Sequence, residues 1–310
     1  MPCFVEFFYD SSAAPQRIHA LKCVPDGDVR AVVQIAHGIS EHIDRYRDFM
    51  MFLAGHGLLA VGNDHLGHGK TPVTEKDKGA FTEEDGWNHV VKDMVTLHDL
   101  MTRDLAGQVP YIMFGHSMGS FLVRTYMIDH PDKFDLAILS GTGHQGRLLV
   151  EFGNLAAAQA IRMRGYYSDG SFLSQLSMGN YLKKISDPRT PFDWLSTDEE
   201  QVDKYIDDEL CGFVAKTGVY ADLLRGVRYV TDPRNIAKIP PDKPVLFMSG
   251  SEDPVGDYSE GVKRAAIAFR RAGVRDVKMK LYEGGRHEML NERNKDEVYR
   301  NILGWIQKRI

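Results

Sequence analysis

Tyr111-Ile112-Met113-Phe114-Gly115-His116-Ser117-Met118-Gly119-Ser120-Phe121-Leu122-Val123-Arg124 decides how the rest of the chain is read. Its first part is a short apolar run ended by glycine, the pattern of a strand buried on both faces. Its last part continues through Thr125-Tyr126-Met127-Ile128-Asp129-His130 to Pro131 and reads as a helix closed by proline. Between them stands G-x-S-x-G, with Ser117 at the turn. A strand that reverses into a helix so tightly needs glycine on both sides of the serine. The hydroxyl then stands at the C-terminal edge of a sheet, on a helix N-terminus that favours developing negative charge. The competing reading is a helix-capping serine with incidental glycines, and the strand before it and the helix after it speak against that.

Upstream, CFVEFFYD and RIHALKCV read as an opening hairpin around SSAAPQ. A turn near Ala13 would set Cys3 opposite Cys23, two reduced thiols on neighbouring strands. AVVQIAHG and LLAVGNDH are further strands, separated by the helix RYRDFMMFLAGHG. Trp87, Val90, Val91, Met94, Leu97 and Met101 form one helical stripe before the decisive strand. Downstream come strand FDLAILSG, then PVLFMSG, helix VKRAAIAFRRAG, strand VKMKLYEGG and the helix EVYRNILGWIQKRI. Such alternation specifies an α/β fold, a mostly parallel sheet with helices on both faces. The rhythm breaks between His144 and Arg228, a helical stretch too long for a loop. The expected organisation is therefore a core of 1–143 and 229–310 with an inserted helical cap over 144–228.

A serine hydroxyl becomes a nucleophile only when a base takes its proton. In a fold of this kind the order along the chain is serine, acid, histidine. His287 is the only histidine after His144 and follows a strand in the loop Glu283-Gly284-Gly285-Arg286. The acid should end the preceding strand, where Glu252, Asp253 and Asp257 are available. Asp253 suits best, at a turn just before Pro254, while Asp257 reads as the N-cap of the next helix. An oxyanion needs two backbone N–H groups. Met118 follows the serine, and Ile39 lies in the loop His37-Gly38-Ile39-Ser40-Glu41-His42, where the small Gly38 permits close approach. His37, His42, His65 and His68 invite a metal reading, but no carboxylate spacing accompanies them, so neither a metal nor another cofactor is expected.

HGISEHIDRY, NDHLGHGKT, GHSMGS, SGSEDPVGD and GGRHEMLNE, in that order, resemble the monoacylglycerol lipase and lysophospholipase-like branch of the α/β-hydrolases. The resemblance covers almost the whole chain, the segment DWLSTDEEQVDKYIDDELC included. It implies Ser117, Asp253 and His287 as catalytic residues and Ile39 and Met118 as oxyanion donors. Two positions depart from the branch: Ser120, where another glycine is usual, and Asp208-Glu209-Leu210, where Asp-Pro-Leu is common.

The resemblance implies a serine hydrolase cleaving single-chain lipid esters. FLSQLSMGNYL (172–182), Phe192, Trp194 and Phe213 are expected to line an apolar groove, unless they merely pack the cap onto the core. A short-chain carboxylesterase is the alternative. A proline-iminopeptidase-like amidase is a further one, though Met118 stands where such enzymes carry Trp. A net charge of −5 gives no reason to expect nucleic acid. No apolar run approaches the ~18 residues of a membrane span, and MPCFVEFFYD lacks the basic start of a secretory signal. A cytoplasmic protein is expected, with transient membrane-surface contact through the cap. Three cysteines without a CxxC pair make neither a disulfide framework nor a structural zinc site.

Overall fold

The structure, a computed structural model, describes residues 1–72, 74–103, 105 and 109–310. The chain opens with the antiparallel hairpin β1 (Cys3–Asp10) and β2 (Arg17–Val24). β3 (Ala31–Ala36), α1 (Arg47–Ala54), β4 (Leu58–Asn63), α2 (Gly86–Arg103), β5 (Tyr111–His116), α3 (Met118–Asp129) and β6 (Leu136–Ser140) follow in alternation. Five helices then separate β6 from the next strand: α4 (Arg147–Arg164), α5 (Ser171–Met178), α6 (Glu199–Asp207), α7 (Thr217–Thr231) and the short α8 (Pro233–Ile236). The chain closes with β7 (Val245–Gly250), α9 (Glu260–Arg271), β8 (Val277–Tyr282) and α10 (Lys295–Gln307).

The strands form one eight-stranded sheet in the order β1-β2-β4-β3-β5-β6-β7-β8, parallel from β4 onward. Every residue of β3, β4, β5, β6 and β7 is buried, which is why these strands read as continuous apolar runs rather than as alternation. α2, α3, α7 and α9 pack one face of the sheet, and α1 and α10 pack the other. The fold is that of an α/β-hydrolase. From β3 the chain moves to β4 on one side and then to β5 on the other, so the crevice beyond the ends of β3 and β5 is a topological switch point. Ala36 pairs with Gly115, which brings the loop beginning at His37 beside Ser117.

Two local expectations change. The hairpin pairs Cys3 with Val24 and Cys23 with Phe4, so the cysteines are not opposite one another. Asp10 pairs with Arg17, which centres the turn between Ala13 and Ala14 rather than on Ala13. That half-residue shift moves the register by one, leaving Cys3 exposed and Cys23 buried. Asp257 is not an N-cap: α9 starts at Glu260 and is preceded by Ser259, while the Asp257 carboxylate accepts from Arg264 at 2.9 Å. The cause is a loop in which Asp257, Tyr258 and Ser259 all have positive φ, which delays the helix. Residue 228, the expected end of the insertion, lies inside α7, whose last turns pack on the core.

Candidate active site

Ser117 sits between β5 and α3 at φ 53° and ψ −121°, a backbone conformation that non-glycine residues seldom adopt. Its flanking glycines are sterically required. A Cβ on Gly115 would lie 2.5 Å from the Gly119 carbonyl oxygen, and one on Gly119 would lie 2.0 Å from that of Ala36. The Ser117 N–H donates to the Ser140 carbonyl at 3.0 Å, and the Ser117 carbonyl accepts from the N–H and hydroxyl of Ser120 at 2.9 and 2.6 Å. The departure at Ser120 thus supplies a hydroxyl that holds the turn.

Asp253 ends the turn after β7 and is fully buried, as Glu252 beside it is not. Its carboxylate meets His287 Nδ1 at 2.9 Å and accepts from the Ser249 hydroxyl at 2.7 Å and the Val255 N–H at 2.9 Å. Burial alone would raise the Asp253 pKa. The His287 charge and these three donors reverse that and hold it below the usual carboxylate value. His287 mirrors it: burial would lower the imidazole, but Asp253, with Glu288 and Glu41 farther off, raises it above its ordinary value. His287 Nε2 is buried and has no hydrogen-bond partner among the described residues. The ring of Trp194 lies 5.1 Å from His287 and that of His116 lies 4.6 Å away. Burial pushes His116 down to about 4, with the His287 charge adding to the effect, so it stays neutral.

The loop after β3 comes as close to the serine as its glycine allows. A Cβ on Gly38 would stand 3.2 Å from the Ser117 Cβ. The Gly38 N–H is occupied, donating to Glu41 Oε1 at 2.5 Å. The N–H groups of Ile39 and Met118 have no protein partner among the described residues. Sequence reading missed what fixes this loop. Glu41 also accepts from the Tyr46 hydroxyl and from Arg45, and Arg45 spans to both oxygens of Glu288, the neighbour of His287, at 2.6 and 2.7 Å. The i, i+4 spacing of Glu41 and Arg45 was a usable signal; Glu288, 243 residues from Arg45, gave none.

A cavity of about 300 Å³ contains Ser117 and His287. Its walls include Gln175, Met178, Tyr181, Leu182, Phe192, Trp194 and Phe213, all from the segment between β6 and β7. Within 172–182 the residues divide: Leu173 is buried in the packing, while Phe172 and Leu176 face solvent. A second hollow of about 410 Å³, lined by Asp85, Asp129 and Asp222, holds none of the expected site residues.

His37, His65 and His68 are buried with tilted rings against one another, and desolvation lowers all three, His68 to about 3. His37 Nε2 accepts from the His65 N–H at 3.0 Å, a structural use of the ring. His42 is elsewhere. Its Nε2 meets Asp208 at 2.8 Å, with Cys211 close enough for ligand atoms of all three to lie within 4.8 Å of one another. Burial raises the Cys211 thiol pKa well above the ordinary value. The pair ties the β3 loop to the β6–β7 segment, together with the Gly212 N–H donating to the Ser40 carbonyl at 3.0 Å. The Asp208 carboxylate also accepts from the Leu210 N–H at 2.9 Å, so the turn at Asp-Glu-Leu forms without proline.

Residues 27–294 match the family described as "Serine aminopeptidase, S33" (Hydrolase_4). The chain belongs to this family. Among relatives by sequence, the monoacylglycerol lipase of Mycolicibacterium smegmatis is 28% identical, covering 91% of this chain and 90% of that protein. Human monoglyceride lipase is 26% identical over 92% of this chain and 85% of its own length. By structure, the chain is similar to a highly thermostable carboxyl esterase from Bacillus coagulans solved in complex with glycerol. That likeness has a TM-score of 0.91, 29% identity and 99% coverage of both chains. The ordered motifs and these relatives make the chain similar to the monoacylglycerol lipase-like branch of the α/β-hydrolases.

Proposed function

We propose that the protein hydrolyses carboxylic esters of single-chain lipids, monoacylglycerols or lysophospholipids, and that residues 144–228 act as the cap that selects the acyl chain. Ser117 Oγ attacks the ester carbonyl carbon while its proton passes to His287 Nε2. The oxyanion is held by the N–H groups of Ile39 and Met118. Asp253 holds His287 in the tautomer that leaves Nε2 free and stabilises the imidazolium. His287 then gives its proton to the leaving alcohol, and a water molecule repeats the sequence on the acyl-enzyme.

The observation that carries this reading is the cavity, with Ser117 and His287 in it and apolar side chains over it. A volume of about 300 Å³ lies at the small end of ligand pockets. An aminopeptidase would need a carboxylate free to meet the substrate ammonium, because a buried charge must be paired. Glu41 and Glu288 do line the cavity, but Arg45 binds both. The relatives by sequence named as monoacylglycerol lipases support the lipid reading. The carboxyl esterase similarity and the small cavity favour a second reading, a short-chain esterase.

A panel of p-nitrophenyl esters, monoacylglycerols, lysophospholipids and aminoacyl amides separates the readings. Each buried methylene contributes about 0.8 kcal/mol, nearly fourfold in affinity. kcat/KM is expected to rise from acetyl into medium chains and then level or fall, with diacylglycerols and amides poor. A maximum at acetyl, declining with every added carbon, would leave the short-chain reading.

The proposal extends to the surface. No described helix is long and apolar enough to cross a membrane. Yet Leu148, Leu149, Phe152, Leu155 and Met163 of α4 are exposed, beside Arg147, Arg162 and Arg164. We read this face as the contact through which the cap meets a lipid surface.

A further inference from the structure

Arg124 lies on α3, two turns beyond Ser117, and no part of it reaches solvent. Among the described residues no carboxylate pairs with it. Instead Nη1 donates to the Gly143 carbonyl at 2.9 Å and Nη2 to the Val230 carbonyl at 2.8 Å. The rings of Phe121 and Phe269 each lie 5.6 Å from the guanidinium carbon. Burial lowers its pKa to about 9, which still leaves it charged at neutral pH.

A buried cation with no counter-ion is a costly way to fill space on a helix, and an apolar side chain would fill it more cheaply. What the guanidinium alone supplies is two divergent donors in a fixed plane. Its two acceptors are far apart in sequence yet stand at matching places. Gly143 leads from β6 into α4, and Val230 lies in the last turn of α7, where helix carbonyls lack partners and a cation is favoured. Gly143 also has little room to move: a Cβ there would lie 2.9 Å from the Val255 carbonyl, beside the Asp253 turn.

We propose that Arg124 is a positioning residue that fastens both ends of the cap to the helix carrying Ser117, and so sets the height of the acyl-binding wall. This rests on reading 144–228 as the cap over an ester site. The test compares wild type with Arg124→Met and Arg124→Lys, using p-nitrophenyl acetate and decanoate together with peptide-resolved hydrogen exchange. In Arg124→Met, peptides of α4 and α7 are expected to exchange about tenfold faster, the effect of roughly one lost hydrogen bond, while β5 peptides keep their protection. The decanoate-to-acetate ratio of kcat/KM should fall about tenfold, through KM for decanoate. Arg124→Lys, which keeps the charge and can serve one carbonyl, should recover part of both. Unchanged exchange in α4 and α7, an equal rise in β5, or an unchanged ester ratio in a wild type that prefers decanoate would overturn the proposal. If Arg124→Met does not fold, Arg124→Lys carries the same comparison, cap-confined exchange supporting and uniform exchange overturning. If the wild type shows no preference for decanoate, the lipid reading fails, and the exchange data still decide the fastening.

Discussion

His287 is held between opposing influences, and their balance predicts its titration. Burial favours the neutral ring, Asp253 favours the cation, and Glu288 and Glu41 add to the second effect. His116, the other imidazole against it, is lowered to about 4 and carries no charge at working pH. The net result is a pKa above the ordinary histidine value of about 6.5. The general base that the proposed mechanism makes of His287 must be neutral, so kcat/KM should fall as pH drops through that raised value. Stability runs the other way. The group binds its proton more tightly when folded, so its contribution is full below about pH 6.5 and is lost as pH rises through the folded pKa. Under the proposed mechanism Asp253→Asn is expected to lower turnover by ~10⁴-fold, as replacing the acid does in serine triads, and to move the residual acidic limb down in pH. Asp257→Asn, whose carboxylate meets Arg264 on the outside of α9, should do neither. pH–rate profiles of the three proteins decide, and an unmoved limb in Asp253→Asn would remove Asp253 from the proposed mechanism.

Between elements, legibility in the sequence depended on whether the determining interaction was local. The β1 and β2 ranges and the fully buried inner strands could be read because composition sets them one segment at a time. The placement of Ser117 at a strand–helix turn was legible because strand, turn and helix are contiguous, and that of His287 against Asp253 because no other histidine follows His144. Register was not legible: it hung on half a residue in the turn between β1 and β2. Nor was the Glu41–Arg45–Glu288 bridge, whose third member arrives only after the sheet closes. This bridge joins the β3 loop to the residue after His287, and both carboxylates are buried. Burial would raise the Glu41 pKa, yet Arg45 and its neighbours bring it to about 2, and Glu288 is likewise held low. Groups so depressed add stability above the unfolded value of about 4.3 and lose it as pH falls through the folded one. Arg45→Met leaves both charges buried without a counter-ion and should cost about 3–5 kcal/mol at pH 7. Near pH 4 the gap should narrow, since the variant then protonates the orphaned carboxylates while wild type still resists. Urea unfolding at the two pH values is the check, and a constant gap would mean that Arg45 acts through packing alone.

At the scale of the whole molecule, the proposed chemistry and the proposed lipid contact occupy different surfaces. The sheet end supplies Ser117 and His287, while α4 turns apolar side chains outward: Leu148 is 88% exposed and Phe152 is 60% exposed. Single exposed apolar residues are ordinary, but a row on one helix beside arginines is the composition of a surface that meets lipid. The face belongs to the same segment that walls the cavity, so a chain leaving a bilayer would have a short path to Ser117. Burying a leucine or phenylalanine side chain contributes about 1.5–3 kcal/mol, tenfold or more in partitioning. The double variant Leu148→Ser/Phe152→Ser is therefore expected to lose about 100-fold in affinity for phosphatidylcholine vesicles. Neither side chain lines the cavity, so kcat/KM for a dispersed p-nitrophenyl butyrate should stay within about twofold. Vesicle sedimentation gives the first quantity and a soluble-ester assay the second. Adding anionic lipid should strengthen binding of wild type and variant alike through Arg147, Arg162 and Arg164, an effect that salt removes. Equal vesicle binding by the two proteins on neutral lipid would show that α4 does not make the contact, and the cap would then have to receive its substrate from solution.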